Sequence, residues 1–174
     1  MSAARLKTVA ARESPDRESA VASDDKLELK VWLRLLTCAN LIEGQVRNKL
    51  RENFATTLPR FDLLAQLDRA PNGMTLGELS QRMMVSNGNI TGLVDRLAEQ
   101  GLIRRRPSPN DRRVQIVNLT PEGQKFFRSM ARVNADWVGE IFAGLTPKDI
   151  EALMSLLAKT KQSARKALNN GDTS

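Results

Sequence analysis

Between Met74 and Thr120 the chain reads MTLGELSQRMMVSNGNITGLVDRLAEQGLIRRRPSPNDRRVQIVNLT, and few folds accommodate that run. It predicts a short helix, a turn, a second helix and then a two-stranded hairpin loaded with arginine. Thr75 followed by Glu78 has the spacing of a capping box, which starts a helix by satisfying orphan backbone donors at both residues. Val85–Ser86–Asn87–Gly88 breaks that helix, and Ser86 can cap the next one. In the second helix Ile90, Leu93, Val94 and Leu97 fall on one face. Asn87, Asn89, Thr91, Asp95 and Arg96 fall mostly elsewhere. Gly101 ends the helix, as a glycine just past the last periodic residue commonly does.

The outward face of the second helix begins with small polar side chains. Amides and hydroxyls there suit a helix whose first turns lie in the DNA major groove, where asparagine can pair with adenine in a bidentate way. Gly88 removes a side chain where a phosphate could approach the backbone. An ordinary surface helix with Ser and Asn turn residues has the same composition, so the helix alone leaves both readings open. The hairpin separates them. Leu102–Pro107 and Arg112–Leu119 are the expected strands, with Ser108–Pro109–Asn110–Asp111 as the turn. Arg104–Arg113 holds five arginines and one acid. Lysine would keep an edge strand soluble equally well, whereas arginine adds bidentate phosphate and narrow-groove contacts.

With these residues in view, the stretch resembles the winged helix-turn-helix of the MarR family of bacterial transcription regulators. The motif NGNITGLVDRLAEQGLI, the wing NDRRVQIVNLT and the following PEG carry the likeness. Asp111, Arg113, Leu119 and Thr120 sit where that family has its Asp-x-Arg…Leu-Thr wing signature. The likeness runs roughly from Asp25 to Leu168. It implies a mainly α fold with a small β-hairpin wing, flanked by N- and C-terminal dimerisation helices. It also implies a homodimer on double-stranded DNA at a pseudo-palindromic operator, released by a small-molecule effector. Some members place an Asp near the start of the recognition helix to pair with the wing arginine. Ser86 stands in that region here.

The resemblance and the helical positions together single out Ser86, Asn87, Asn89, Thr91 and Arg96 for the major groove and its phosphates. Arg112 and Arg113 are the wing candidates. Arg104, Arg105 and Arg106 are phosphate contacts or members of salt bridges. Asp95 and Asp111 are expected to orient arginines rather than touch DNA.

The chain around this unit fits the same plan. Residues 1–24 are rich in Ala, Ser, Arg and Glu and are expected to form a disordered or loosely helical tail. Residues 25–170 are expected to form a single domain. Its winged helix-turn-helix is 59–120, with dimerisation helices and a connection in 25–58 and 121–168. Asp25 with Glu28 can cap a long helix reaching Glu52. Between Val31 and Ile42 that helix is apolar nearly all round, so it needs burial on more than one face. Asn53–Leu58 reads as a connection, and Pro59 suits the start of a helix that buries Phe61, Leu64, Ala65 and Leu67. Thr120–Pro121–Glu122 and Thr146–Pro147 are two more helix starts. Phe126, Phe127, Met130, Val133, Trp137, Val138, Ile141 and Phe142 line the first of these helices. Ile150, Leu153, Met154, Leu157 and Leu168 line the second. Such broad faces with no second domain to pack on predict intertwining with a partner copy.

Composition narrows the chemistry. The formal net charge of +7 favours an anionic partner. There is no histidine, no tyrosine and one cysteine. A Ser-His-Asp triad is therefore excluded, and no set of zinc ligands stands out. No cofactor, metal or enzymatic activity is expected. Val31–Ile42 is too short and too polar to span a bilayer. With no apolar signal-peptide core and no possible intrachain disulfide, a cytoplasmic location is expected.

Effectors of the family usually sit between the dimer helices and the DNA-binding lobe. By that resemblance the candidates are Trp32, Leu35, Leu36, Ala39 and Asn40, with Arg60, Phe61 and Leu64, closed by Phe127 and Met130. The apolar members can equally be core. Arg60 needs a partner, either a ligand carboxylate or phosphate or a local acid. The sequence is most similar to a branch controlling aromatic-acid catabolism, whose effectors are hydroxycinnamoyl-CoA or benzoyl-type CoA thioesters. That likeness implies a repressor of aromatic catabolic genes released by an aromatic acyl-CoA. A free phenolic or aromatic carboxylate is an alternative effector, and oxidant acting on Cys38 is another. Cys38, mid-helix among apolar residues, is expected to be buried and inert. A nonspecific architectural nucleic-acid-binding protein is the alternative from another class.

Overall fold

The computed structural model describes residues 26–109 and 111–171. The expected tail, 1–24, lies outside them. The chain divides into two compact units, Met1–Ala55 and Thr56–Ser174.

The described part of the first unit is one long helix, α1 (Leu27–Phe54). It corrects the expected start and end. Lys26 occupies the N-cap position with no side-chain cap, and Asp25 lies outside the described residues. At the other end the helix runs past Glu52 until Ala55 turns left-handed at φ 48°, its N–H shared between the Leu50 and Arg51 carbonyls. The apolar middle of α1 is not enclosed within one chain. Val31, Trp32 and Leu41 are exposed, and Leu33, Leu35 and Leu36 are half-buried. Cys38 is exposed as well, which overturns its expected burial. Val46 and Leu50 are the buried residues of this helix.

The second unit follows the order α2 (Leu58–Asp68), β1 (Met74–Thr75), α3 (Leu76–Met83), α4 (Asn87–Glu99), β2 (Ile103–Pro107), β3 (Gln115–Leu119), α5 (Pro121–Ile141) and α6 (Pro147–Gly171). It is mostly helical with a small antiparallel sheet. The sheet has three strands in the order β1-β3-β2, one more than a hairpin supplies. Met74 pairs with Val117, and Arg105 pairs with the same residue from the other side. β2 reaches Pro107 as expected but starts one residue later, at Ile103, whereas β3 is shorter at the tip, starting at Gln115 rather than Arg112. Arg112 and Arg113 lie in a turn that Val114 closes by donating to the Asp111 carbonyl (2.9 Å).

The core of this unit is built from the expected faces. Ile90, Leu93, Val94 and Leu97 of α4 are buried, as are Leu63, Leu64 and Leu67 of α2, Leu79, Val117 and Met130. Burying each such side chain contributes roughly 1.5–3 kcal/mol. Phe61 and Phe127 stack tilted, with ring centroids 5.5 Å apart. Gly123 lets the first turn of α5 press against the loop before β2. A Cβ there would lie 1.8 Å from the Leu102 carbonyl oxygen. Thr120 fastens the same junction, donating from its hydroxyl to the Gly101 carbonyl (2.7 Å) and from its N–H to Leu102 (3.1 Å). The wing is thus rooted on the start of α5.

α6 begins at a reciprocal cap. Asp149 accepts from the Thr146 N–H (2.9 Å) and hydroxyl (2.6 Å), bonds that hold its carboxyl below the ordinary carboxylate range. Beyond it Met154, Leu156, Leu157 and Leu168 are exposed. No described helix is long and apolar enough to cross a membrane.

Candidate nucleic-acid interface

The helix-turn-helix is set by two caps and one left-handed residue. Thr75 and Glu78 form the full capping box at the start of α3: Thr75 Oγ1 accepts from the Glu78 N–H (3.2 Å), and Glu78 accepts from the Thr75 N–H (2.7 Å). Those bonds to Thr75 keep the Glu78 carboxyl below its ordinary pKa. Met84 then turns left-handed at φ 54°, ending α3. Ser86 caps α4 by accepting from the Asn89 N–H (3.4 Å).

Because one face of α4 is held in the core, its other face is fixed toward solvent. Ser86, Asn87, Asn89, Thr91 and Arg96 are all exposed. Hydrogen bonding tells their capacities apart. The side-chain amides of Asn87 and Asn89 have no partner among the described residues, so each offers a donor and an acceptor. Thr91 spends its hydroxyl proton on the Asn87 carbonyl (3.0 Å), leaving an acceptor and a methyl group. A Cβ on Gly88 would meet only open space, which agrees with a backbone left accessible there.

The five arginines of the hairpin have different tasks. Strand alternation places Arg105 on the α4 side of the sheet and Arg104 and Arg106 on the opposite side. Arg105 is ion-paired with Asp95 of α4, which binds the wing to the recognition helix. Arg106 donates to Asn118 Oδ1 (3.1 Å) and to the Asn72 carbonyl (2.9 Å). Asn118 is buried and donates to the Pro71 carbonyl (3.2 Å). Gly73, at φ 80°, lies directly against Asn118 and Ile116; a Cβ would come within 2.6 Å of both. Arg106 and Asn118 therefore clamp the 70–73 loop to the wing. At the tip Asp111 accepts from the Arg113 N–H (2.9 Å) and Nε (3.3 Å), while the Arg113 side chain stays 91% exposed. Arg112 is exposed and has no partner among the described residues. The orienting tasks expected of Asp95 and Asp111 are thus visible as bonds to Arg105 and Arg113.

Ala70–Pro71–Asn72–Gly73 is the turn its composition predicts, but sequence reasoning missed Asn118 and the short β1. The available signal was the Asn118 amide within the run Ile116–Leu119, since a polar side chain among apolar strand residues demands a partner.

The effector candidates divide. Trp32, Ala39 and Asn40 are exposed and Leu35 and Leu36 half-buried on α1. Phe61, Leu64, Phe127 and Met130 are buried core residues. Arg60, half-buried at the start of α2, donates to Gln100 Oε1 at the end of α4. Its partner within the chain is thus a neutral amide rather than a local acid. Its Nε is buried without a partner, and burial, with Arg96 nearby, holds its pKa below the ordinary arginine value. No cluster of metal-binding side chains occurs among the described residues.

Comparison with known proteins agrees with this geometry. The MarR family model matches residues 56–114. The transcriptional activatory protein BadR of Rhodopseudomonas palustris is 30% identical over 144 residues, covering 79% of this chain and 81% of that protein. The multiple antibiotic resistance protein MarR of Salmonella typhimurium is 31% identical over 127 residues, covering 72% and 88%. Among solved structures, a mutant of E. coli MarR complexed with operator DNA superposes with a TM-score of 0.67. It is 28% identical and covers 78% of this chain and 99% of that one. AbsC of Streptomyces coelicolor shares the fold, with a TM-score of 0.72 at 23% identity over 84% of this chain and 99% of its own.

Proposed function

The chain belongs to the MarR family of DNA-binding transcription regulators, and from that premise we propose that it binds a pseudo-palindromic operator as a homodimer. The observation that carries this reading is the solvent-facing start of α4. Two unpartnered asparagine amides stand there beside a hairpin braced to the same helix through Arg105 and Asp95. The E. coli relative solved in complex with operator DNA supports operator binding. Asn87, Asn89 and Thr91 read base edges, with Ser86 and Arg96 at flanking phosphates. Arg112 and Arg113 reach the adjacent minor groove. Recognition helices of such a dimer lie about 34–36 Å apart, one turn of DNA. The exposed apolar residues of α1 and of α6 supply surface for the second copy.

In its finer form the proposal is a repressor of aromatic-acid catabolic genes, released by an aromatic acyl-CoA thioester. Sequence likeness to that branch supports it. So does the cationic pair Arg60 and Arg96, where bound phosphate or carboxylate would offset the cost of the buried, unpartnered Arg60 Nε. An effector that binds the free protein more tightly than the DNA-bound one shifts the population off the operator. Activation is the second reading, since the Rhodopseudomonas relative is named an activatory protein.

The test is binding to DNA from upstream of the protein's own gene and its neighbours, titrated with 4-coumaroyl-CoA, 4-coumarate and benzoyl-CoA. Release by a thioester alone supports the finer form. Release by the free acid moves the effector to small carboxylates. Specific binding unaffected by all three discards the effector assignment, and binding with no sequence preference discards the operator.

A further inference from the structure

The hairpin is held to its unit from both faces, at consecutive residues. On one face Arg105 is ion-paired with Asp95 of α4. On the other, Arg106 donates from Nε to Asn118 Oδ1 (3.1 Å) and from Nη2 to the Asn72 carbonyl (2.9 Å). Asn118 adds a bond of its own to the Pro71 carbonyl (3.2 Å). Both attachments lie beside Pro107, where β2 ends and the tip carrying Arg112 and Arg113 begins. β2 and β3 share five residue pairs, and β1 adds Met74–Val117 and Thr75–Ile116. A hairpin of that length is marginally stable by itself, so the direction of its tip depends on what grips the stem.

The grip on the loop side is directional rather than electrostatic. Both acceptors of Arg106 are neutral amide oxygens, so the bonds fix where the guanidinium points and leave its charge in place. They also occupy its Nε–Nη2 edge, one of the edges with which arginine holds a phosphate in a bidentate way. Asn118 is buried and uncharged, and both atoms of its amide are bonded. The loop is shaped to meet it. Gly73 donates to the Ala70 carbonyl (2.8 Å) and sits at φ 80° against the Asn118 amide, with no room for a Cβ.

We propose that Arg106 and Asn118 are positioning residues for DNA binding: they hold the wing tip in the direction that brings Arg112 and Arg113 onto the duplex, and neither touches a nucleotide. This rests on the operator-binding reading above, and it gives Arg106 the task that composition left open between phosphate contact and internal bond.

The test is the salt dependence of binding by the full chain, measured by fluorescence anisotropy on the tightest-binding duplex from upstream of the protein's own gene. Asn118→Ala and Arg106→Lys both preserve net charge, so neither removes a cation from the slope directly. Each is nevertheless expected to lower the slope by about 1 or more, out of the about 3.6 that two copies of Arg112 and Arg113 supply. Over a fourfold rise in salt that is about a fourfold or greater shift in affinity relative to the wild type. In a chain already carrying Arg112→Ala and Arg113→Ala, neither is expected to change affinity more than about twofold, because residues acting through one another are not additive.

A clamp that served stability alone would lower the unfolding midpoint of Asn118→Ala and leave its slope at the wild-type value, which would overturn the proposal. So would an undiminished further loss in the Arg112→Ala, Arg113→Ala background. A wild-type slope for Arg106→Lys with a fall of about 1.8 for Arg106→Gln would make Arg106 a phosphate contact and overturn it as well. Circular dichroism checks the fold; should Asn118→Ala fail to fold, Arg106→Lys, an exposed position, decides alone. An Arg112→Ala slope equal to the wild type would refute the wing's contact with DNA and the clamp together. A normal response to Arg112→Ala with none to Asn118→Ala or Arg106→Lys would refute the clamp alone.

Discussion

Replacing Arg112 by alanine isolates the electrostatic share of DNA binding, because no described partner competes for that guanidinium and no core contact is lost with it. Each phosphate neutralised by a cation contributes about 0.9 to the slope of log affinity against log salt. A dimer presents Arg112 twice, so Arg112→Ala should reduce the slope by about 1.8. Over a fourfold rise in potassium chloride, from about 50 to 200 mM, the wild-type advantage should then shrink by a factor of about 12. Fluorescence anisotropy on an operator duplex at four or five salt concentrations measures this directly, with circular dichroism confirming that the fold is retained. Arg105→Ala is the informative comparator. Arg105 is already neutralised by Asp95, so its loss should lower affinity by freeing that acid beside the DNA while leaving the slope nearly unchanged. Asp95→Ala added to Arg105→Ala should recover part of the affinity. An Arg112→Ala slope equal to the wild type would refute the reasoning, and would move the phosphate contacts elsewhere on the surface.

Asn89→Ala should compress the affinity ratio between operator and unrelated duplex by roughly thirtyfold, the discrimination of one bidentate base contact per protomer at the low end of about 1 kcal/mol each; competition assays read it, and an unchanged ratio would mean that α4 docks differently. Gly123→Ala should destabilise by about 3 kcal/mol or more in urea unfolding, since the added Cβ meets backbone at 1.8 Å and overpacking against backbone has no cheap relief; a near-neutral result would show that the Leu102 loop yields. The Glu78 carboxyl is held below its ordinary pKa by Thr75, so its stabilising effect is complete above the unfolded-state value of about 4.3 and disappears as pH falls through the lower folded value. The stability gap between wild type and Glu78→Gln should therefore be widest near neutrality and close on acidification; a gap constant from pH 7 to about pH 3 would contradict the capping account. Sedimentation equilibrium should find a dimer at micromolar concentration, and Leu157→Glu together with Leu168→Glu on α6 should weaken it; a folded wild-type monomer there would remove the dimer.

Much of the DNA-facing site was legible because it rests on local rules. Capping chemistry at Thr75, Ser86 and Thr120 depends on residues three apart, and the buried stripe of α4 depends on helical period alone. Both appear in the structure as expected. The composition of Arg104–Arg113 announced an anionic partner. What it could not reveal was that neighbouring arginines take unrelated tasks. Pairing of Arg105 with Asp95 and of Arg106 with Asn118 depends on strand register and on which face of the sheet meets α4. Neither is encoded within a few residues of the arginines themselves.

The same division explains the corrections. Of the two partners open to Arg60, a local acid or a ligand, no acid is found beside it; within the described residues it donates to Gln100, forty positions away, a contact that periodicity cannot address. Cys38 was placed in the interior from its apolar neighbours, yet it is exposed. Burial is a property of the enclosing surface, and an apolar run records only the need for one. The third strand at Met74–Thr75 is two residues long, below the length at which alternation can be read. Sequence alone therefore determined the order of the helices and the hairpin, the capped starts of α3, α4 and α5, the inward face of α4 and the positive character of the wing, because these follow from short-range geometry and charge. Tertiary structure decided which arginines are free and what clamps the wing to the 70–73 loop, because each depends on residues brought together only by packing.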